Sequence, residues 1–162
     1  MKKVVLFISL AILLACTSSN DNQPADQRAI FYKVTKVVDG DTFWIADGSP
    51  KGKKIRLIGI DAPESFNTGR TTIEFMGKEA GNYLRDLVLN EKVRIELDVD
   101  PFDRYGRTLA YAYMEDDLFI NAHMVEQGYA QVMTIPPNVK FASLFLELQR
   151  EARAAKRGLW AE

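Results

Sequence analysis

The chain of 162 residues is 47% apolar and 27% charged, with 21 basic side chains against 22 acidic ones, one cysteine and one histidine. A net charge of −1 excludes a protein that grips nucleic acid through bulk positive potential, and a lone cysteine excludes a disulfide framework. The length suits one ordinary domain beyond its N-terminal leader, with enough Val, Ile, Leu and Phe to fill a single core.

Met1-Lys2-Lys3 precedes residues 4–14, which are apolar apart from Ser9. A cationic start and a short apolar run form a signal-peptide pattern, and the run falls short of the roughly 20 residues that span a bilayer. It ends in Leu13-Leu14-Ala15-Cys16, which looks like a bacterial lipobox. This predicts cleavage after residue 15, lipid on Cys16 and an exported, membrane-anchored protein; the alternative is a secreted protein with an idle signal-peptide cysteine. Residues 17–27 hold no apolar side chain larger than alanine and cannot bury enough surface to order themselves, so residues 16–29 are expected to form a tether. Losing Lys2 and Lys3 with the leader leaves 19 basic residues against 22 acidic, a formal charge of −3. Any phosphate recognition must then come from particular arginines and a bound cation.

Residues 30–38, 42–46 and 53–60 are β-branched-rich runs separated by Asp39-Gly40-Asp41 and by the turn-rich residues 47–52, predicting a three-stranded meander. Over residues 77–89, Ala80, Tyr83, Leu84, Leu87 and Val88 recur at helical spacing, predicting an amphipathic helix. Strands over 92–99 and 108–114 bring the total to five, with a helix between the third and fourth, the order of an OB-type small barrel. A short helix near 121–127 ends at Gly128, and Pro136-Pro137-Asn138 starts a longer one near 139–156 with Phe141, Leu144, Phe145, Leu148 and Ala152 on one stripe. The expected fold of residues 30–162 is α+β: a five-stranded OB-fold barrel with three α-helices.

Four carboxylates fall in two turn-like segments at strand ends, Asp39 and Asp41 in DGDT, and Asp61 and Glu64 in DAPE. If the first and third strands are neighbours, these ends converge on one rim as a cluster of hard oxygens, the donor set that calcium takes. Arg56, in Ile55-Arg56-Leu57-Ile58, is a charge among apolar neighbours and needs an anionic partner, a carboxylate or a substrate phosphate. Asp103-Arg104-Tyr105-Gly106-Arg107 forms a loop before the fifth strand and brings Arg107 to the rim, where two planar guanidinium forks can clamp one phosphodiester. A cation with two arginines would neutralise the phosphate, and Glu64, beyond the two ligand positions, is the choice for orienting or deprotonating the attacking water.

Taken in order, DGDT, IRLIGIDAPE and DRYGRTLAY make the chain similar to the staphylococcal nuclease family from about Phe31 to Trp160. The resemblance implies a monomeric, calcium-dependent hydrolase of DNA and RNA. It implies Asp41 and Asp61 as calcium carboxylates, the Ala62 backbone carbonyl as a further ligand and Asp39 close by. It also implies Glu64 at the attacking water, Arg56 and Arg107 on the scissile phosphate, and Arg104 and Tyr105 at the nucleotide's terminal phosphate. The chain departs from the family in three places: Ala62 replaces a threonine, residues 132–136 hold no tyrosine to stack on a base, and the loop over 65–76 has only Arg70 as a cation. His123 is read as a partly buried helix residue, Trp160 as an apolar plug and Trp44 as strand packing. A non-catalytic nucleic-acid-binding OB module is the main rival, and an envelope protein whose barrel binds a protein or sugar is a third reading; neither has a reason to keep Arg56, Glu64 and Arg107 together with both aspartates.

Overall fold

The computed structural model describes residues 29–67 and 72–161; the leader, Cys16, the tether up to residue 28 and Arg70 lie outside them. In chain order the elements are β1 (Phe31–Asp39), β2 (Thr42–Ile45), β3 (Lys53–Leu57), β4 (Ile60–Asp61), α1 (Gly77–Val88), β5 (Lys92–Glu96), β6 (Thr108–Met114), α2 (Ile120–Glu126), β7 (Gln131–Val132) and α3 (Ala142–Ala154), followed by a 3-10 turn at Gly158–Trp160. Five strands close a barrel in the order β1-β2-β3-β6-β5, with β3 and β6 parallel and the other pairs antiparallel. The expected five-stranded barrel with three helices is the fold observed. Among the described residues no helix is long and apolar enough to cross a membrane.

β1 pairs with β2 along most of its length and with β5 at its start, and two register shifts against β2 bend it between these roles. Alternate residues such as Val34, Val37, Phe43, Ile45, Ile55, Leu57 and Val93 face a core completed by Leu84 and Val88 of α1, and Ile120 and Met124 of α2. Tyr111, Phe119, Phe141 and Phe145 pack edge-on or tilted at centroid separations of 4.7–6.4 Å and fasten α3 to the barrel.

Two sequence expectations are corrected. The third strand stops at Leu57 instead of running to residue 60, because Gly59 sits at φ 79° and a Cβ there would meet the Phe145 ring at 2.5 Å. The chain turns and re-emerges as β4, which pairs with β7 in a separate ribbon. The first and third strands are also not neighbours, since β2 lies between them. Their ends meet through the register instead: Asp39 opposes Thr42, and Thr42 opposes Arg56.

Buried Asn121 ties the turn to the barrel. Its Nδ2 donates to the carbonyls of Ile58 at 2.9 Å and Ala110 at 3.3 Å, and its Oδ1 accepts from the Ala112 amide at 3.0 Å. One side chain thus connects α2, β6 and the turn that aims Asp61.

Candidate active site

The DGDT segment turns between β1 and β2 with little room to spare. A Cβ on Gly40 would come within 2.6 Å of the Ala62 Cβ and 2.9 Å of the Ala80 Cβ, so glycine lets the turn touch both α1 and the DAPE segment. Asp41 is buried at this junction. Its Oδ1 accepts from the Thr42 hydroxyl at 2.8 Å, and its Oδ2 accepts from the Ala62 amide at 2.9 Å. The second bond spans 21 residues and locks the two acidic segments together.

Arg56 projects from β3 between the two aspartates. Its Nη1 forms an ion pair with Asp41 Oδ2, and its Nη2 donates to Asp61 Oδ1 at 2.7 Å. The Arg56 side chain is 8% exposed and that of Asp61 38%, so the pair grades from core to surface. Burial pulls the guanidinium below its ordinary value while Asp61 opposes that fall, and Arg107 adds a repulsive charge from nearby. Asp39 accepts weakly from the Asp41 amide at 3.3 Å. Burial raises its carboxyl above the usual range, against the pull of Arg56, Lys54 and Arg107.

Glu64 is exposed at the other side of the cluster. Partial burial, then repulsion from Asp39, Glu74 and Asp61, raises its carboxyl above the ordinary value, with Arg56 opposing. Its backbone is pinned twice to Glu74: the Glu64 amide donates to Glu74 Oε2 at 3.2 Å, and the Glu74 amide donates to the Glu64 carbonyl at 3.0 Å.

Arg107 is presented by a loop organised around one carboxylate. Asp103 Oδ1 accepts from the amides of Tyr105 at 2.8 Å and Arg107 at 2.9 Å, and Asp103 Oδ2 accepts from Arg107 Nε at 2.5 Å. These bonds hold the Asp103 carboxyl below its ordinary value, although its partial burial works the other way. The Arg107 Nη groups donate to no other described residue, which leaves them for an anion. Arg104 lies over the Tyr105 ring at 4.8 Å and donates from Nη2 to its hydroxyl at 2.6 Å.

Two cavities meet at Arg107. The larger, about 570 Å³, has Arg56, Asp103, Arg104 and Arg107 at its polar end and Leu109, Met133, Ile135, Pro136 and Pro137 along its apolar wall. The smaller, about 500 Å³, is bounded by Trp44, Lys54, Glu64, Tyr105, Gly106 and Arg107. The structure therefore brings Asp39, Asp41, Arg56, Asp61, Ala62, Glu64, Arg104, Tyr105 and Arg107 to one rim. Among the described residues no three carboxylate or imidazole groups form a complete metal cage by themselves. The donor set nevertheless suits a hard cation: carboxylates that repel one another at Glu64, Asp39 and Asp61, with Arg56 offsetting only part of their charge.

Several residues of the site were not singled out in the sequence. Asp103 read as one member of a loop, and its turn-organising role could have been sought in its position two residues before Tyr105 and four before Arg107. Lys54 was legible as the residue that shares a strand face with Arg56, two positions on. Trp44, read as strand packing, is half-buried and also forms a wall beside Glu64. His123 stays away from the rim; its Nε2 lies 2.8 Å from the Tyr83 hydroxyl.

A barrel rim that groups carboxylates with two arginines around a cavity of nucleotide size defines a class of phosphate-ester-binding OB proteins with hydrolytic equipment. Residues 54–162 match the model of the staphylococcal nuclease homologues. The chain is similar to a thermonuclease of Staphylococcus intermedius, 36% identical over 99% of both chains, and to a thermonuclease of Staphylococcus hyicus, 37% identical over 80% of this chain and 75% of that one. An uncharacterized endonuclease of Escherichia coli O157:H7 is 35% identical over 80% of this chain and 76% of its own. The chain belongs to the staphylococcal nuclease family.

Proposed function

We propose that this nuclease hydrolyses phosphodiester bonds of DNA and RNA with calcium as its cofactor, and works outside the cytoplasm as a monomer on a lipid anchor at Cys16. The observation that carries the catalytic part is the grouping of Arg56, Asp41 and Asp61 at a cavity that also receives Arg107. Asp41, Asp61 and the Ala62 carbonyl would hold the cation, with Asp39 near them. Calcium, when bound, supplies charge that offsets the phosphate and the negative charge developing on its oxygens.

The chain's own residues do the rest. Arg107, oriented through Nε by Asp103, offers its Nη groups to the phosphate, and Arg56 faces the same space from β3. Such donors, fixed before substrate arrives, act most strongly where charge develops in the transition state. Glu64, on the neighbouring cavity, accepts the proton of the attacking water. Arg104 and Tyr105, joined to each other on the exposed loop, meet the terminal phosphate of the bound nucleotide. The anchor is supported by the Leu13-Leu14-Ala15-Cys16 pattern and the polar tether after it.

A defined single-stranded oligonucleotide incubated with calcium tests the catalytic reading. Cleavage that stops on chelation supports hydrolysis and the metal together, and the product ends report the polarity of attack. Binding without cleavage under any divalent ion would instead identify the non-catalytic OB module. For the anchor, incorporation of radiolabelled palmitate in a bacterial host should be lost in Cys16→Ser; an unlabelled wild-type chain returns the protein to the secreted class.

A further inference from the structure

Phe102 sits on the lip of the larger cavity with 61% of its surface exposed, and no ring of the described residues packs against it. An exposed phenylalanine is ordinary when it stands alone on a mobile loop. Here the backbone that carries it is pinned on both sides. Its backbone bridges Thr108, the Leu109 amide donates to the Pro101 carbonyl on its other side at 2.9 Å, and the next residue is the turn-organising Asp103. The opposite wall is clamped to the same segment: Asn138, itself buried, accepts from the Asp100 amide and donates to the Asp100 carbonyl, both at 2.8 Å. The backbone that carries the ring is therefore fixed at the lip of the cavity that Arg104 and Arg107 also line, one residue from Asp103.

We propose that Phe102 is a specificity-determining residue that stacks an unpaired base next to the nucleotide held in the cavity, so that the enzyme prefers single strands to duplex. The inference rests on the nuclease reading above. A strand whose phosphate lies on Arg107 must lead its adjoining nucleotide over the cavity lip, where the Phe102 ring is exposed and uncovered while the exposed Tyr105 ring already carries the Arg104 and Arg107 guanidinium groups. A base already paired in a duplex has both faces covered by its neighbours and cannot take up the ring. Stacking of one base on one aromatic side chain is worth enough to change affinity by about tenfold or more.

The test compares the wild type with Phe102→Ala and Phe102→Trp on three substrates with saturating calcium: a single-nucleoside nitrophenyl phosphodiester, a single-stranded oligonucleotide and the same oligonucleotide in duplex. Phe102→Ala should raise KM for the single strand about tenfold, leave kcat near its original value, and leave both constants for the small diester unchanged. Phe102→Trp should restore the single-strand KM. The ratio of single-strand to duplex kcat/KM should fall in the alanine variant alone. Since the side chain is exposed, the unfolding temperature should hold, and a drop in it accompanied by equal losses on all three substrates assigns Phe102 a structural role and overturns the proposal. An unchanged single-strand KM overturns it too, with the nuclease reading intact. A wild type that cleaves none of the substrates overturns both.

Discussion

At the scale of residues, the two arginines differ in what their loss costs. Arg107 sits on an exposed loop, so Arg107→Ala should lower kcat by at least about a hundredfold with the unfolding temperature nearly unchanged, as stopped-time oligonucleotide assays and thermal melts can measure together. Arg56 is buried against a buried Asp41, and its removal strands that carboxylate. Arg56→Ala should therefore lose turnover and also several kcal/mol of stability, about the 3–5 kcal/mol seen when one partner of a buried pair is deleted. Glu64 sets the pH dependence. Its folded carboxyl is raised, so its charged form is disfavoured by the fold, and the small stability gained from the neutral form is present below the unfolded value and lost as pH rises through the folded one. As a base it must be ionised, so the acid limb of kcat should lie above the ordinary glutamate range, and Glu64→Gln should remove that limb with most of the turnover. An acid limb at the ordinary value, measured at saturating calcium, would speak only for a cation that has drawn the carboxyl down; a Glu64→Gln enzyme of normal rate would end its role as base.

Elements position these residues through a few long-range polar contacts. Asn121→Ala would orphan the Ile58 carbonyl and the Ala112 amide in the core, at about 1–3 kcal/mol for each buried group left unpaired, and should lower the denaturant midpoint and turnover together because the same turn aims Asp61. Asp103→Asn keeps one oxygen for the Tyr105 and Arg107 amides and loses the charge on Arg107 Nε. It should therefore reduce kcat more than stability, a split that melts and rate measurements on the same preparation resolve. If both quantities fall equally, Asp103 supports the barrel more than the arginine.

For the molecule as a whole, binding a cation to the folded state alone stabilises it by mass action. At calcium near a hundred times its dissociation constant the gain is about 2.7 kcal/mol, on the order of 5–10 °C in unfolding temperature for a domain of this size. Chelation should reverse the shift, and Asp41→Asn or Asp61→Asn should abolish it. A shift that survives both substitutions would place the cation elsewhere. Much of this molecule was legible in local pattern. β-branched-rich runs between turn residues marked the five barrel strands, helical spacing marked the three helices, and the segments DGDT, DAPE and DRYGR, through chemistry and resemblance, pointed to the nine rim residues, because β-branched runs, turn residues and charged side chains act over a few positions. What tertiary structure alone decided depends on contacts between distant segments: the bond from Ala62 to Asp41 across 21 residues, the Phe145 ring that leaves no room for a side chain at Gly59, the Asn121 bridge across 63 residues to Ile58, and the clamp of Asn138 on Asp100 across 38 residues. Such contacts follow from the closure of the barrel, which brings together groups that no local spacing relates.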